Sequence, residues 1–146
     1  LEGKDDHITS SESFKDKFRQ VADFFEYREE DAGSRIIEQG KDPDGIYFID
    51  SGQISVFLDT GGSNEIRLKS MGEGTVVGEV SLYLGSKASA SVVTDEPCQI
   101  YYLSKKKFNE LNQDAPHKAS ELHTYVVKLL SDRLAESNAT IRALMR

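Results

Sequence analysis

From Phe24 to Ser104 the chain is a series of short extended segments, each closed by turn residues before a helix could form. They read FFEYREE, RIIEQG, GIYFIDSG, QISVFLD, EIRLKSM, TVVG, ASASVVT and QIYYLS. In QISVFLD, Ile54, Val56 and Leu58 alternate with Gln53, Ser55 and Phe57, which predicts one apolar face. In EIRLKSM, Ile66 and Leu68 alternate with Arg67 and Lys69, which predicts the same. DAGS, GKDPDG, DSG, DTGGSN and GEG separate the segments. Glycine, Asn and Asp tolerate positive φ there, and Pro presets its own φ. Seven or eight strands at this spacing, with no long helix between them, predict an antiparallel sandwich or barrel.

Both flanks switch to helical period. Phe14, Phe18, Val21, Ala22 and Phe25 recur at three and four, predicting a helix over 11–23 capped by Ser11 or Ser13. The ten residues before it are polar. The strand region spans 24–104, and 105–146 reads as two C-terminal helices. Phe108 and Leu111 mark the first helix, which Asn112-Gln113-Asp114 is expected to interrupt. Asp114 then caps the second, with Pro116 in its first turn. That helix carries Leu122, Tyr125, Val126, Leu129, Leu130, Leu134, Ile141 and Leu144. The stripe is wide for a helix lying on a small roll, so it packs on the core and leaves room for a homodimer seam.

A chain of 146 residues has one domain's worth of core, here 1–146. Its net charge of −7 and isoelectric point near 5.0 argue against a nucleic-acid surface, because phosphate binding needs concentrated Lys and Arg. Lys105-Lys106-Lys107 is the one basic run and reads as a solvated helix face. The single cysteine, Cys98, cannot make an internal disulfide and suits a reducing compartment. No apolar run approaches the roughly 20 residues of a membrane span. His7, His117 and His123 show no metal spacing with other ligands, and no Ser-His-Asp set is evident, so neither a metal nor a catalytic residue is expected. Asp42-Pro43-Asp44-Gly45 lacks the regular ligand spacing of a calcium loop and reads as a turn.

Residues 78–92, GEVSLYLGSKASASV, form the most informative stretch. Gly78 ends a strand, and the six residues before Gly85 allow only one or two helical turns. A helix start offers free N–H groups to an anion. Glu79 there suits the helix dipole even without a ligand; as an ionised carboxylate it can also accept bonds from sugar hydroxyls. Small and hydroxyl residues follow, letting backbone approach a ligand.

With IIEQGKDPDGIYFIDSGQISV upstream and a terminal helix pair downstream, this stretch resembles the cyclic nucleotide-binding domain family over roughly residues 14 to 130. The resemblance implies a mainly β fold with flanking helices. Its centre is an antiparallel eight-stranded, jelly-roll-like β-roll, with an N-terminal helix, a short cassette helix and two C-terminal helices. It implies a non-catalytic regulatory module whose ligand is cAMP or cGMP, with no other cofactor. Gly78 and Glu79 match the family's Gly-Glu pair, whose carboxylate holds the ribose 2′-hydroxyl, and Val80 follows them. Leu82 matches the cassette helix's apolar anchor. Ser89 and Ala90 match the small residues after the family's arginine, and Ser89 could donate to a phosphate oxygen.

The arginine itself is missing. Lys87 stands at the proline of the family's Pro-Arg-Ser/Ala-Ala, and Ala88 stands at the arginine. An arginine–phosphate bond is worth about 1.5–3 kcal/mol, so its loss predicts roughly ten- to a hundred-fold weaker binding, or none. Lys87 could substitute only from a loop, since in a strand neighbours point to opposite faces.

Within the family, GEVSLYLGS, ASVVTDEPCQIYYLS and the tail ELHTYVVKLLSDRLAESNATIRALMR resemble the cytoplasmic C-terminal domain of bacterial sulfate-permease-type transporters. A start at Leu1 fits a piece of a larger protein. The alternatives are the ligand-binding half of a transcription regulator trimmed of its DNA-binding domain, a kinase or channel module, or a dimerisation domain with no ligand. No basic recognition helix stands in these residues.

Overall fold

The computed structural model describes residues 14–145. Eight strands form: β1 (Glu26–Glu30), β2 (Arg35–Ile37), β3 (Gly45–Ser51), β4 (Ile54–Asp59), β5 (Glu65–Met71), β6 (Val76–Val77), β7 (Ser91–Thr94) and β8 (Cys98–Ser104). They make two antiparallel four-stranded sheets, ordered β1-β8-β3-β6 and β2-β7-β4-β5, without closing into a barrel. Helices flank them: α1 (Phe14–Lys17) and a 3₁₀ segment (Arg19–Phe24) before the roll, α2 (Glu79–Leu84) within it, and α3 (Lys105–Asp114) and α4 (Pro116–Leu144) after it.

The near-continuous apolar run of β3 is explained by burial on both faces. Ile46 and Phe48 point into a helical core with Phe14, Phe18, Val76, Leu103, Leu111, Leu122 and Val126. Tyr47 and Ile49 point the other way, into an inter-sheet core with Ile37, Ile54, Val77, Val92, Cys98 and Ile100. The sheet β1-β8-β3-β6 is thus the middle of three layers. Phe14 stacks on Phe48 with ring centres 4.3 Å apart, which docks the N-terminal segment.

Three expectations about local structure need correction. The described part of the segment expected as a helix over 11–23 is four residues of α-helix followed by a 3₁₀ turn; the proposed caps Ser11 and Ser13 lie outside the described residues. Val21 leaves helical geometry (φ −118°, ψ 24°), and Ala22 faces solvent while Phe14, Phe18 and Val21 stay buried. Asn112-Gln113-Asp114 does not interrupt α3 but completes it. The break falls at Ala115, so Asp114 is not a cap, although Pro116 does open α4. The cap the sequence reading missed is Ser104, whose Oγ accepts from the Lys107 N–H at 3.1 Å.

The third correction is the face of β5. Ile66 and Leu68 are 52% and 53% exposed, and Arg67 and Lys69 are exposed as well, so β5 buries neither set of alternates. Arg67 donates to the fully buried Ser55 hydroxyl at 3.0 Å, and Ser55 in turn donates to Asp95 at 2.8 Å. Edge strand β5 is exposed from Glu65 to Ser70, and its pairing with β4 carries a register shift between Val56 and Phe57.

Candidate functional site

A cavity of about 200 Å³ opens between α2, the 88–90 loop, β5 and α4. Its apolar wall includes Ile37, Val56, Met71, Val77 and Val92. Gly78 turns the chain from β6 into α2 with φ +88°, and a Cβ there would sit 2.7 Å from the Gly45 carbonyl oxygen. Only glycine permits that approach, and it sets Glu79 as the first residue of α2, 8% exposed and facing the cavity. Across from it, the Ala88 N–H donates to Lys41 O and the Ala88 carbonyl accepts from the Gly40 N–H, both at 2.8 Å. The cassette loop is therefore stitched to the β2–β3 connection, with half-buried Ala88 packed against the inter-sheet core at the cavity wall and Ser89 at the rim.

Gly78, Glu79, Val80, Ala88 and Ser89, the expected ligand-binding residues, all line the cavity. Lys87 is exposed and is not among the lining residues. The cationic groups lining it are Lys69 and Arg133. Arg133 reaches in from α4: its Nη2 donates to Thr75 Oγ1 at 2.6 Å and to the Val76 carbonyl, and its Nη1 lies 3.4 Å from Glu79 Oε2. The Arg133 and Glu79 side chains are 23% and 10% exposed, so the pair is largely withdrawn from water.

Arg133 is the site residue that the sequence reading passed over. The signal was present, because it follows Leu129 and Leu130 by four and three residues and so shares their roll-facing side. Lys69, exposed on β5, was not among the expected site residues. Among the described residues no His, Cys, Asp and Glu group could hold a metal. His117 is exposed and does not meet His123; His7 lies outside the described residues. Cys98 is buried without a disulfide partner, and burial raises its thiol pKa, so it is a packing residue. The turn at 42–45 is closed by Asp42, which accepts from the Asp44 N–H at 2.9 Å.

A buried carboxylate beside a guanidinium, with a hydroxyl and an open rim opposite and apolar walls between, suits a ligand with hydroxyls, an anionic group and a flat hydrophobic part. Two four-stranded antiparallel sheets, a short helix at the cavity and flanking helices are the architecture of a regulatory β-roll. The family model for the cyclic nucleotide-binding domain matches residues 27–114, and the chain belongs to that family.

A cAMP-dependent protein kinase regulatory subunit of Yarrowia lipolytica is 28% identical over 117 residues, covering 78% of this chain and 30% of that protein. The mouse potassium/sodium hyperpolarization-activated cyclic nucleotide-gated channel 2 is 32% identical over 109 residues, covering 75% of this chain and 12% of the channel. The crystal structure of the Thermus thermophilus catabolite activator protein superposes with a TM-score of 0.71 at 26% identity, over 88% of this chain and 59% of that one. This chain thus spans less than a third of either curated relative. No helix of the described residues is long and apolar enough to cross a membrane.

Proposed function

We propose that residues 1–146 form one non-catalytic sensor domain of a larger protein, in which Glu79 accepts the ribose hydroxyls of cAMP or cGMP and binding is weak because Ala88 replaces the cassette arginine. The observation that carries this reading is Glu79 at the first position of α2, buried against the cavity between two glycine-bounded turns. Ser89 offers a hydroxyl at the rim, and Lys87 takes no part. On this reading the parent is an anion transporter of the sulfate-permease type, and this domain is its cytoplasmic regulatory part. What supports that placement is the likeness of the cassette and the tail.

The second reading, a homodimeric ligand-binding half of a transcription regulator, draws on α4. Val127, Leu134 and Ile141 are 60%, 62% and 53% exposed at intervals of seven residues, which is coiled-coil spacing. Leu134→Asp with Ile141→Asp would leave a monomer in sedimentation if that seam forms, and would change nothing if it does not.

Calorimetric titration with cAMP and with cGMP to millimolar concentration tests the main reading. The expected result is weak saturable heat that disappears in Glu79→Ala and tightens roughly ten- to a hundred-fold in Ala88→Arg. No heat in either the native chain or Ala88→Arg overturns it.

A further inference from the structure

An anion entering the cavity meets no positive charge from the cassette: Ala88 offers only a methyl, and Lys87 lies outside the lining. The two cations at the cavity come from elsewhere in the chain, Lys69 on β5 and Arg133 on α4. They are not equivalent. Lys69 is exposed, so its ammonium is hydrated and its pull on an anion is screened. The Arg133 side chain is 23% exposed, and where water is partly withdrawn a charge-assisted bond is stronger.

The hydrogen bonds of Arg133 leave donors to spare. A guanidinium carries five N–H donors. Nη2 gives two bonds, to Thr75 Oγ1 and to the Val76 carbonyl, and Nη1 gives one to Glu79 Oε2. At 3.4 Å that last bond is long for a charged pair. One Nη1 proton and the Nε proton have no acceptor among the described residues, and Nε is not sealed from solvent. Thr75 and Val76 are uncharged at these atoms, so they fix the guanidinium at the cavity without neutralising it. A positioned fork with open donors is what the paired oxygens of an anion require.

We propose that Arg133 is the anion clamp of this site: it supplies from α4 the guanidinium that position 88 lacks, and the phosphate of a cyclic nucleotide turns toward α4 rather than toward the cassette loop. This rests on reading the cavity as the nucleotide site. It also gives a physical reason for binding to be weakened rather than lost, since the phosphate still meets one guanidinium in a partly dry place. Glu79 keeps its own part. An ionised carboxylate has about four acceptor positions, so it can hold Arg133 and still accept ribose hydroxyls.

The test is an NMR titration of the full chain with cAMP and with adenosine, which keeps base and ribose but has no phosphate. The side-chain Nε–H signal of Arg133, assigned by its absence in Arg133→Lys, should shift with cAMP and stay in place with adenosine. Arg133→Gln should weaken cAMP at least about tenfold more than adenosine, with circular dichroism confirming that the variant is folded. The difference should persist when Glu79 is also changed to Gln, because the clamp acts on the phosphate and not only by neutralising the carboxylate. If Arg133→Gln does not fold, the Nε–H signal of the native chain still decides. An Nε–H signal that ignores cAMP, equal losses for the two ligands, or a difference that vanishes with Glu79→Gln each overturn the clamp. So does a cAMP-specific loss in Lys69→Ala with none in Arg133→Gln. All four leave the cavity as the ligand site, whereas a native chain that does not bind cAMP overturns both readings.

Discussion

Replacing Arg133 by alanine removes three polar contacts at once: Thr75 Oγ1 at 2.6 Å, the Val76 carbonyl, and Glu79 Oε2 at 3.4 Å. Deleting one partner of a fully buried ion pair costs about 3–5 kcal/mol, because the other charge is left unpaired. Here the guanidinium is 23% exposed and the carboxylate 10%, so water from the pocket mouth can partly rescue Glu79. The three contacts also share one side chain and do not add. The expected loss is about 2–3 kcal/mol, which for a domain of this size lowers Tm by about 6–10 °C. Scanning calorimetry and guanidinium denaturation both read it. Arg133→Lys should recover less than half, since an ammonium on a flexible stem cannot span three acceptors in a fork. A loss below about 0.5 kcal/mol for Arg133→Ala would place the pair among ordinary surface ion pairs and refute this reasoning.

Two further predictions concern backbone and pH. Gly78→Ala should destabilise by at least about 2 kcal/mol, because a left-handed φ costs about 1–2 kcal/mol and the new Cβ would lie 2.7 Å from the Gly45 oxygen; Gly85→Ala, with open space around it, should cost only the conformational part, and denaturant titration separates the two. Burial pushes Tyr83 and Tyr102 up to about 12. Because the folded values exceed the unfolded value near 10, the contribution of these groups is intact below about pH 10 and drains away between about pH 10 and 12. Ultraviolet titration of phenolate, folded and in denaturant, checks both values, and coincident curves would contradict them.

The strands were legible because turn chemistry punctuates them. All eight segments appear, since Gly, Asp and Asn mark the places where the chain must reverse. The cassette was legible for the same reason: Gly78 and Gly85 bracket a helix too short to be anything else. Alternation in β5 misled because it reports that two faces differ, not which one is inside. On this edge strand neither face is buried: Arg67 bonds Ser55 beside Asp95, Lys69 borders the cavity, and Ile66 and Leu68 stay exposed. Arg133 stayed hidden because its partners, Thr75, Val76 and Glu79, are more than fifty residues away in sequence. The break at Ala115 was misplaced because helix-ending signals are crowded there, and the residue before a proline is pushed out of helical geometry whatever polar residues precede it.

The alternating faces of β3 have a consequence for how such a domain diversifies. Val76 and Val77, or Phe48 and Ile49, are neighbours in the chain yet belong to separate cores, one against the helices and one between the sheets. A substitution that repacks the helical side leaves the volume of the inner side untouched. Repacking on the helical side can therefore reset how the flanking helices sit while the apolar wall that Ile37, Val77 and Val92 give the cavity stays as it is.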